Sequence, residues 1–419
     1  MFPCGSSSQR DHPDAVSSQT MKQNGRRDAL HSRGEKFLIA KTWFSVAALF
    51  VMSLAVCGCE SGNLICNVSI GSTQSAISRG TPCMEPGLVT LPDGNLLAAF
   101  NCTMSIMTQM SKDSGSTWSS SIQVDTGGIN PSEVSLSLLH DGKLFLSTNL
   151  LPASGNSMVV YMIGTIGTGD VITWSAPVSV STPGSIYSCW AVSPVVYLGN
   201  GNLLWPVWCY NDLAGNLPGS STALLSTDGG VTWPKQITVG NAITDGREYD
   251  ESAAVVYPNG DIVMIIRHTN PGPSDQYGSY WRSKSNDGGN TWSHPAEVVN
   301  NALVGRPTLG LLPSGGLVLL SRAEIAGIPT TAFGTSWDEG VSFSNFPGLG
   351  VDNVPGTMDV SDAMSLLPNG TLAVVTVHIN DSDNTTDIDY RNLVDNCPSV
   401  LISLNMSCAA CPKGVTMRC

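Results

Sequence analysis

A chain of 419 residues with a net charge of −13 is long enough to bury one large core, and its acidic balance argues against a nucleic-acid binder, which favours basic stripes. Only 13% of the residues are charged, 43 are Gly, and no long stretch carries an amphipathic helical period, so many short strands and turns are expected rather than a helical bundle.

Residues 1–36 are polar, rich in Ser and basic side chains, and read as disordered. Phe37 to Val56 then form an apolar stretch broken by Lys41, Thr42 and some Ser, preceded by Arg26, Arg27, Arg33 and Lys36. Residues 37–57 read either as a signal-anchor or as a signal peptide with a long leader. As an anchor they would be the membrane contact, with residues 1–36 in the cytosol and the rest lumenal or extracellular; both readings send the following domain into the secretory pathway.

Sequons at Asn67, Asn101, Asn369, Asn380, Asn384 and Asn405 agree with that route. So do nine cysteines after residue 60: Cys66, Cys83, Cys102, Cys189, Cys209, Cys397, Cys408, Cys411 and Cys419. In an oxidising compartment they read as disulfides. The odd count leaves one thiol free, or paired with another chain or with Cys57 or Cys59. Cys408-x-x-Cys411 has no second pair nearby, so residues 406–419 read as a disulfide-stapled tail rather than a zinc site. No metal or cofactor is expected.

Residues 60–405 carry two interleaved repeats. The first is an Asp/Asn/Ser-Gly turn between apolar runs, at Leu91–Leu97, Leu139–Phe145, Leu198–Leu204, Tyr257–Val263, Leu312–Val318 and Leu367–Ala373, each reading as a β-hairpin. Its glycines, Gly94, Gly142, Gly201, Gly260, Gly315 and Gly370, recur at intervals of 48 to 59 residues. The second is S-x-D-x-G-x-[TS]-[WF], at Ser111–Trp118, Ser226–Trp233, Ser285–Trp292 and Ser336–Phe343. Its Asp accepts bonds from its own turn, its Gly permits positive φ, and its aromatic anchors a hairpin. The second unit has only the remnant Ile172–Ser175, and the sixth has none. Six four-stranded blades follow: an all-β, six-bladed β-propeller closed by a strand from about residues 64–76.

The repeats also supply a register. Both turns of a blade lie on one rim, so the start of strand one and the end of strand two lie on the other, near the axis. Nine residues before each turn Gly stand Glu85, Glu133, Val192, Glu251, Arg306 and Ser361; seven after it stand Asn101, Asn149, Trp208, Arg267, Arg322 and Val377, with His268 and His378 one place later. Charges in apolar strands need partners. These either pair with one another or form a polar ligand site. The longer connections, about residues 150–157, 210–221, 268–279, 323–331 and 379–390, lie on the same rim. Trp190, Trp205, Trp208 and Tyr210 cluster in the third blade; Trp205 reads as core, whereas Trp208 fits either core or a face that stacks on a sugar.

The S-x-D-x-G-x-[TS]-[WF] pattern resembles the Asp-box (BNR) repeat, and about residues 64–405 resemble the sialidase superfamily in repeat order. That resemblance implies a glycan or glycoconjugate ligand. It also implies an arginine triad for the substrate carboxylate, a Tyr nucleophile activated by a Glu, and an Asp acid/base. The fourth blade matches best: Glu251 stands for the activating Glu and Arg267 for a triad arginine, followed by Arg282. Elsewhere the pattern departs. Met84 takes the place of the first arginine, with Arg79 nearby but out of register. The 101–109 connection holds no acid, residues 328–330 hold no arginine, though Arg306 and Arg322 come from that blade, and Val360, before Ser361 and Asp362, replaces the Tyr. Three readings follow. One is an exo-glycosidase acting on terminal sugars, acidic ones included, with two of Glu85, Glu133 and Glu251 as acid and base. The others are a non-catalytic glycan-binding propeller and a protein-binding scaffold. Arg267, Arg306, Arg322, Arg282, Asp362, Trp208 and His268 are the candidate ligand contacts. Asp113, Asp228, Asp287 and Asp338 of the boxes are expected to form turns.

Overall fold

The computed structural model describes residues 66–397, except 104, 129, 151–157, 181–187, 211–218, 270–276, 326–327, 345–356 and 381–384. The polar N-terminal segment, the apolar stretch 37–57, the Cys-rich tail and most of the long connections expected at the mouth lie outside the described residues.

The first strand, β1 (Val68–Thr81), belongs to the last blade. Blade one holds β2 (Cys83–Thr90), β3 (Leu96–Cys102), β4 (Ser105–Ser111) and β5 (Ile122–Val124). Blade two holds β6 (Pro131–Leu138), β7 (Leu144–Leu150) and β8 (Met158–Ile166), with its outer strand split into β9 (Ile172–Trp174) and β10 (Val178–Ser179). Blade three has a divided inner strand, β11 (Ser188–Trp190) and β12 (Val196–Gly199), then β13 (Asn202–Tyr210), β14 (Ser220–Ser226) and β15 (Lys235–Gly240). Blade four runs β16 (Ser252–Val256), β17 (Ile262–Thr269), β18 (Tyr277–Ser285) and β19 (Ala296–Leu303). Blade five shows β20 (Thr308–Leu311), β21 (Leu317–Ile325) and β22 (Ile328–Ser336), and blade six β23 (Thr357–Leu366), β24 (Leu372–Asn380) and β25 (Thr385–Asp395).

The sixth sheet has the order β1-β25-β24-β23, so the N-terminal strand closes the ring as its outermost member. Cys66–Cys397 ties the start of β1 to the end of β25 at that closure. Six apolar clusters occupy the six interfaces between neighbouring blades, including one that joins blade six to blade one around Ile77, Phe100 and Tyr390. A central strand is therefore packed on both faces, which is why Ile262–Ile266 reads as a continuous apolar run and is wholly buried.

Each Asp box is a side-chain-locked turn. Asp287 accepts from the Thr291 backbone N–H at 2.9 Å and the Thr291 hydroxyl at 2.6 Å, while Ser285 accepts from the Gly289 N–H at 2.9 Å. The same bonds recur around Asp113, Asp228 and Asp338. Gly115 is required twice over. Its φ is +88°, and a Cβ there would lie 2.2 Å from the Tyr390 ring of blade six. The box turn and the first hairpin turn share one rim, as the Gly229 N–H to Gly201 carbonyl bond shows. The four box aspartates therefore sit opposite the end where the inner strands begin.

A cavity of about 490 Å³ runs along the axis between the inner strands, from Arg306 and Asp362 down to Leu138, Val256 and Leu366. The three mouth glutamates do not line it; they stand above its upper end. Cys83–Cys102 and Cys189–Cys209 staple the mouth ends of blades one and three, and the three disulfides indicate an oxidising compartment. Among the described residues no helix is long and apolar enough to cross a membrane.

Candidate functional site

The site is built at the heads of the inner strands. In blades one and two the head carries a bulge: the register of β2 slips between Met84 and Gly87, and that of β6 between Ser132 and Val134. Glu85 and Glu133 occupy these bulges with φ of +55° and +53°. A side chain in that region costs roughly 1–3 kcal/mol, and a bulge is a device that re-aims a residue out of the pleat. The two glutamates are repeat-equivalent, yet they do different things.

Glu85 is neutralised. Arg306, 5% exposed, reaches from blade five to place Nη1 2.9 Å from Glu85 Oε2. Its Nη2 also donates to the carbonyls of Pro86 and Asp362, each at 3.4 Å, so one guanidinium ties blades five, six and one together across the top of the axial cavity. Glu251 is likewise paired: Arg267 Nη1 stands 2.6 Å from its Oε2, with Arg267 Nε 3.9 Å from Asp250. Burial opposes the Arg267 charge, but Glu251 and Asp250 outweigh it and hold the guanidinium protonated.

Among the described residues Glu133 has no ion pair. Its one described side-chain bond comes from the Asn149 amide, 3.3 Å from Oε2. Burial, then the charges of Glu85 and Glu251, push its carboxyl well above the usual range, against a smaller opposing pull from Arg306. Glu133 nevertheless remains partly open to the mouth. Asp250, beside Glu251, is pushed up to about 7 by burial and by the Glu251 charge, with Arg267 opposing. Thus a glutamate shifted toward its protonated form shares the mouth with a carboxylate–guanidinium group.

The blade-three side of the mouth is aromatic. The Cys189–Cys209 bridge fixes the cross-strand pair Trp190–Trp208, with ring centroids 6.5 Å apart, and Tyr210 lies 4.8 Å from Trp208. All three are half-buried, whereas Trp205 is wholly inside the core. Burial, and then the charges of Glu248 and Asp250, raise the Tyr210 phenol, which places this wall beside the acidic group of blade four.

The other predicted residues divide. Asp362 lies at the head of the axial cavity, 6% exposed, and accepts from the Thr331 hydroxyl at 3.2 Å. Arg322 packs on Gly305, next to Arg306. His268 stands on the mouth rim but is turned to the Trp281 ring and the Glu248 carbonyl, away from the glutamates. Arg282 is a correction: its Nε donates to the Glu339 carbonyl at 2.6 Å, in the fourth Asp box, so it serves the opposite rim. Arg282 pairs with Ile265, two residues farther from the mouth than Arg267 on β17. Met84 packs against the blade-six/blade-one core. Val360 falls within β23, leaving no phenol at that strand position.

Asp250 lies one place outside the two positions per blade that the register singles out, and Asn149, which the register includes, is not among the candidate contacts. The acidic run Glu248-Tyr-Asp-Glu251 at a strand head was the available signal for the first. The second signal was the recurrence of an amide, Asn101 and Asn149, where other blades carry Arg267 and Arg322. Among the described residues no group of three or more His, Cys, Asp or Glu side chains is arranged to hold a metal ion.

Residues 139–347, which span blades two to five, match the BNR repeat-like domain. No curated protein matches the sequence. Among solved structures, a protein of unknown function from Dyadobacter fermentans superposes with a TM-score of 0.65 at 16% identity, covering 78% of this chain and 99% of that one. The α-L-arabinanase of Penicillium chrysogenum, complexed with arabinobiose, gives 0.58 at 16% identity, covering 79% and 98%. Trypanosoma rangeli sialidase, in complex with the inhibitor DANA, gives 0.54 at 12% identity, covering 82% of this chain but 62% of the sialidase. At such identities the likeness establishes the fold, and function has to be argued from the site.

Proposed function

We propose, from the premise that this chain is a sialidase-like BNR-repeat propeller, that its mouth cleaves glycosidic bonds of neutral sugars, with Glu133 as general acid and Glu251 as its partner carboxylate. The observation that carries this is the contrast among the three glutamates. Glu85 and Glu251 are held by arginines, while Glu133 has only an amide among the described residues, and burial with the two glutamate charges raises its carboxyl well above the usual range. Two carboxyl groups in unlike environments are what acid–base cleavage of an acetal requires. Glu133 gives its proton to the departing glycosidic oxygen, which leaves with the electron pair of its bond to the anomeric carbon. Glu251, whose Oε2 is taken by Arg267, uses Oε1 to receive the proton of an attacking water. A carboxyl separation of roughly 6.5–9.5 Å would make this an inverting reaction. The Trp190–Trp208–Tyr210 wall supplies a face on which a sugar ring stacks.

Of the terminal sugars left open by the sequence, acidic ones are disfavoured on charge grounds. Arg267 and Arg306 each bind an internal glutamate, so a substrate carboxylate would have to displace it. The glycan complexes of structurally similar propellers support a glycan ligand by analogy only. A non-catalytic glycan-binding role is the second reading, favoured by the same two locked glutamates.

The test is hydrolysis of aryl glycosides of neutral pentoses and hexoses, with a sialoside alongside, by the wild-type chain, Glu133→Gln and Glu251→Gln. Release of a neutral sugar by the wild type, lost in both variants, is expected. Equal rates in all three proteins would remove both residues from catalysis. Binding without release would favour the second reading.

A further inference from the structure

We propose that Asn149 is the positioning residue of this site: it holds Glu133 so that its proton sits on the oxygen facing the mouth. The inference rests on the reading of Glu133 as the general acid. Asn149 is fully buried on β7, and both ends of its amide are used. Its Oδ1 lies 2.9 Å from the backbone nitrogen of Ala191, and its Nδ2 lies 3.3 Å from Glu133 Oε2.

Chemistry settles which end is which. A backbone N–H can only donate, so the atom facing Ala191 is the carbonyl oxygen, and the atom facing Glu133 is the NH₂. An NH₂ donor satisfies the carbonyl oxygen of a protonated carboxyl group and cannot accept its hydroxyl hydrogen. The carbonyl oxygen is the better acceptor, so this bond favours the hydroxyl on Oε1, the oxygen that no described residue engages. The amide itself is clamped by Ala191, which follows the Cys189–Cys209 bridge, so the donor is held from the neighbouring blade.

Blade one contains an internal comparison. Asn101 is the repeat-equivalent of Asn149, and its Nδ2 bonds the Pro131 carbonyl at 3.2 Å instead of Glu85. Glu85 is paired with an arginine, whereas Glu133 has the amide in place of a cation. The same bulge and the same two residue types thus serve two ends, one held by charge and the other by an amide.

Asn149→Asp isolates the donor. It retains an oxygen for the Ala191 N–H and replaces the NH₂ by the second carboxylate oxygen, an acceptor that draws the Glu133 proton into a shared bond away from the mouth. The full-length chain is assayed on the methyl and 2,4-dinitrophenyl glycosides of the sugar it releases. A methyl leaving group needs protonation and a dinitrophenyl group does not. Asn149→Asp and Glu133→Gln are both expected to lose at least about 100-fold on the methyl glycoside and less than about 10-fold on the dinitrophenyl one. The ratio of the two rates is independent of the folded fraction, so a poorly folding variant still reports. If Asn149→Asp slows both substrates equally while Glu133→Gln shows the split, the positioning role is overturned and the acid assignment stands. If Glu133→Gln shows no split, or the wild type cleaves neither substrate, the reading of the site fails and the positioning role with it.

Discussion

Glutamine substitution at the two repeat-equivalent glutamates should move stability in opposite directions. Glu85→Gln removes the partner of Arg306, whose guanidinium is 5% exposed and spans three blades. Leaving a buried charge uncompensated costs about 3–5 kcal/mol. Glu133→Gln removes no ion pair and keeps an acceptor for Asn149. Its effect comes from proton linkage. Glu133 binds its proton more tightly in the folded chain than in the unfolded one, where a glutamate titrates near 4.3. Its contribution to stability is therefore complete below that value and is lost as pH rises toward the folded one, at up to about 1.4 kcal/mol per pH unit. Glutamine carries no such loss. Urea unfolding of the three proteins at pH 5, 6, 7 and 8 should show Glu85→Gln well below the wild type throughout. Glu133→Gln should be near the wild type at pH 5 and progressively above it as pH rises. A Glu133→Gln protein destabilised to the same extent at every pH would refute the assignment of Glu133 as a buried neutral acid.

The scaffold yields three further expectations. Gly115→Ala forces a Cβ into the Tyr390 ring at positive φ, and should destabilise the blade-one/blade-six seam by more than about 1 kcal/mol in a thermal melt. Replacing Cys66 and Cys397 by Ser opens a closure 331 residues apart in sequence and should cost roughly 3–5 kcal/mol on chemical unfolding. The Thr291 hydroxyl and N–H hold the Asp287 carboxyl down to about 2, so its stabilisation is present above the unfolded value and fades as pH falls through about 2. Asp287→Asn should flatten the acid limb of the stability profile between about pH 4 and 2.

The architecture was legible because two turn chemistries repeat in phase. An Asn-Gly or Asp-Gly step needs positive φ, and an Asp box bonds its own backbone, so neither depends on distant residues. Their spacing alone placed β1 in the last blade and the box aspartates on the rim away from the mouth. The site was legible only as a list of positions. Glu85 and Glu133 look identical in register, and nothing local reveals that Arg306 crosses from blade five to one of them. Positive φ at a glutamate cannot be anticipated from a residue that normally avoids it. Arg282 was misplaced because following a family segment along the chain does not say how far down the blade a residue lies. Asp250 was overlooked because it stands one place before the position read at that strand head, although burial and its neighbour Glu251 both raise it.

The most direct test is the titration of Glu133 itself, followed in the full-length chain by carbon-13 NMR of labelled glutamate carboxyl groups, with Glu133→Gln identifying the signal. One resonance, absent in the variant, should remain protonated well above the usual glutamate range. A Glu133 signal that titrates near 4.3 with the exposed glutamates would contradict it.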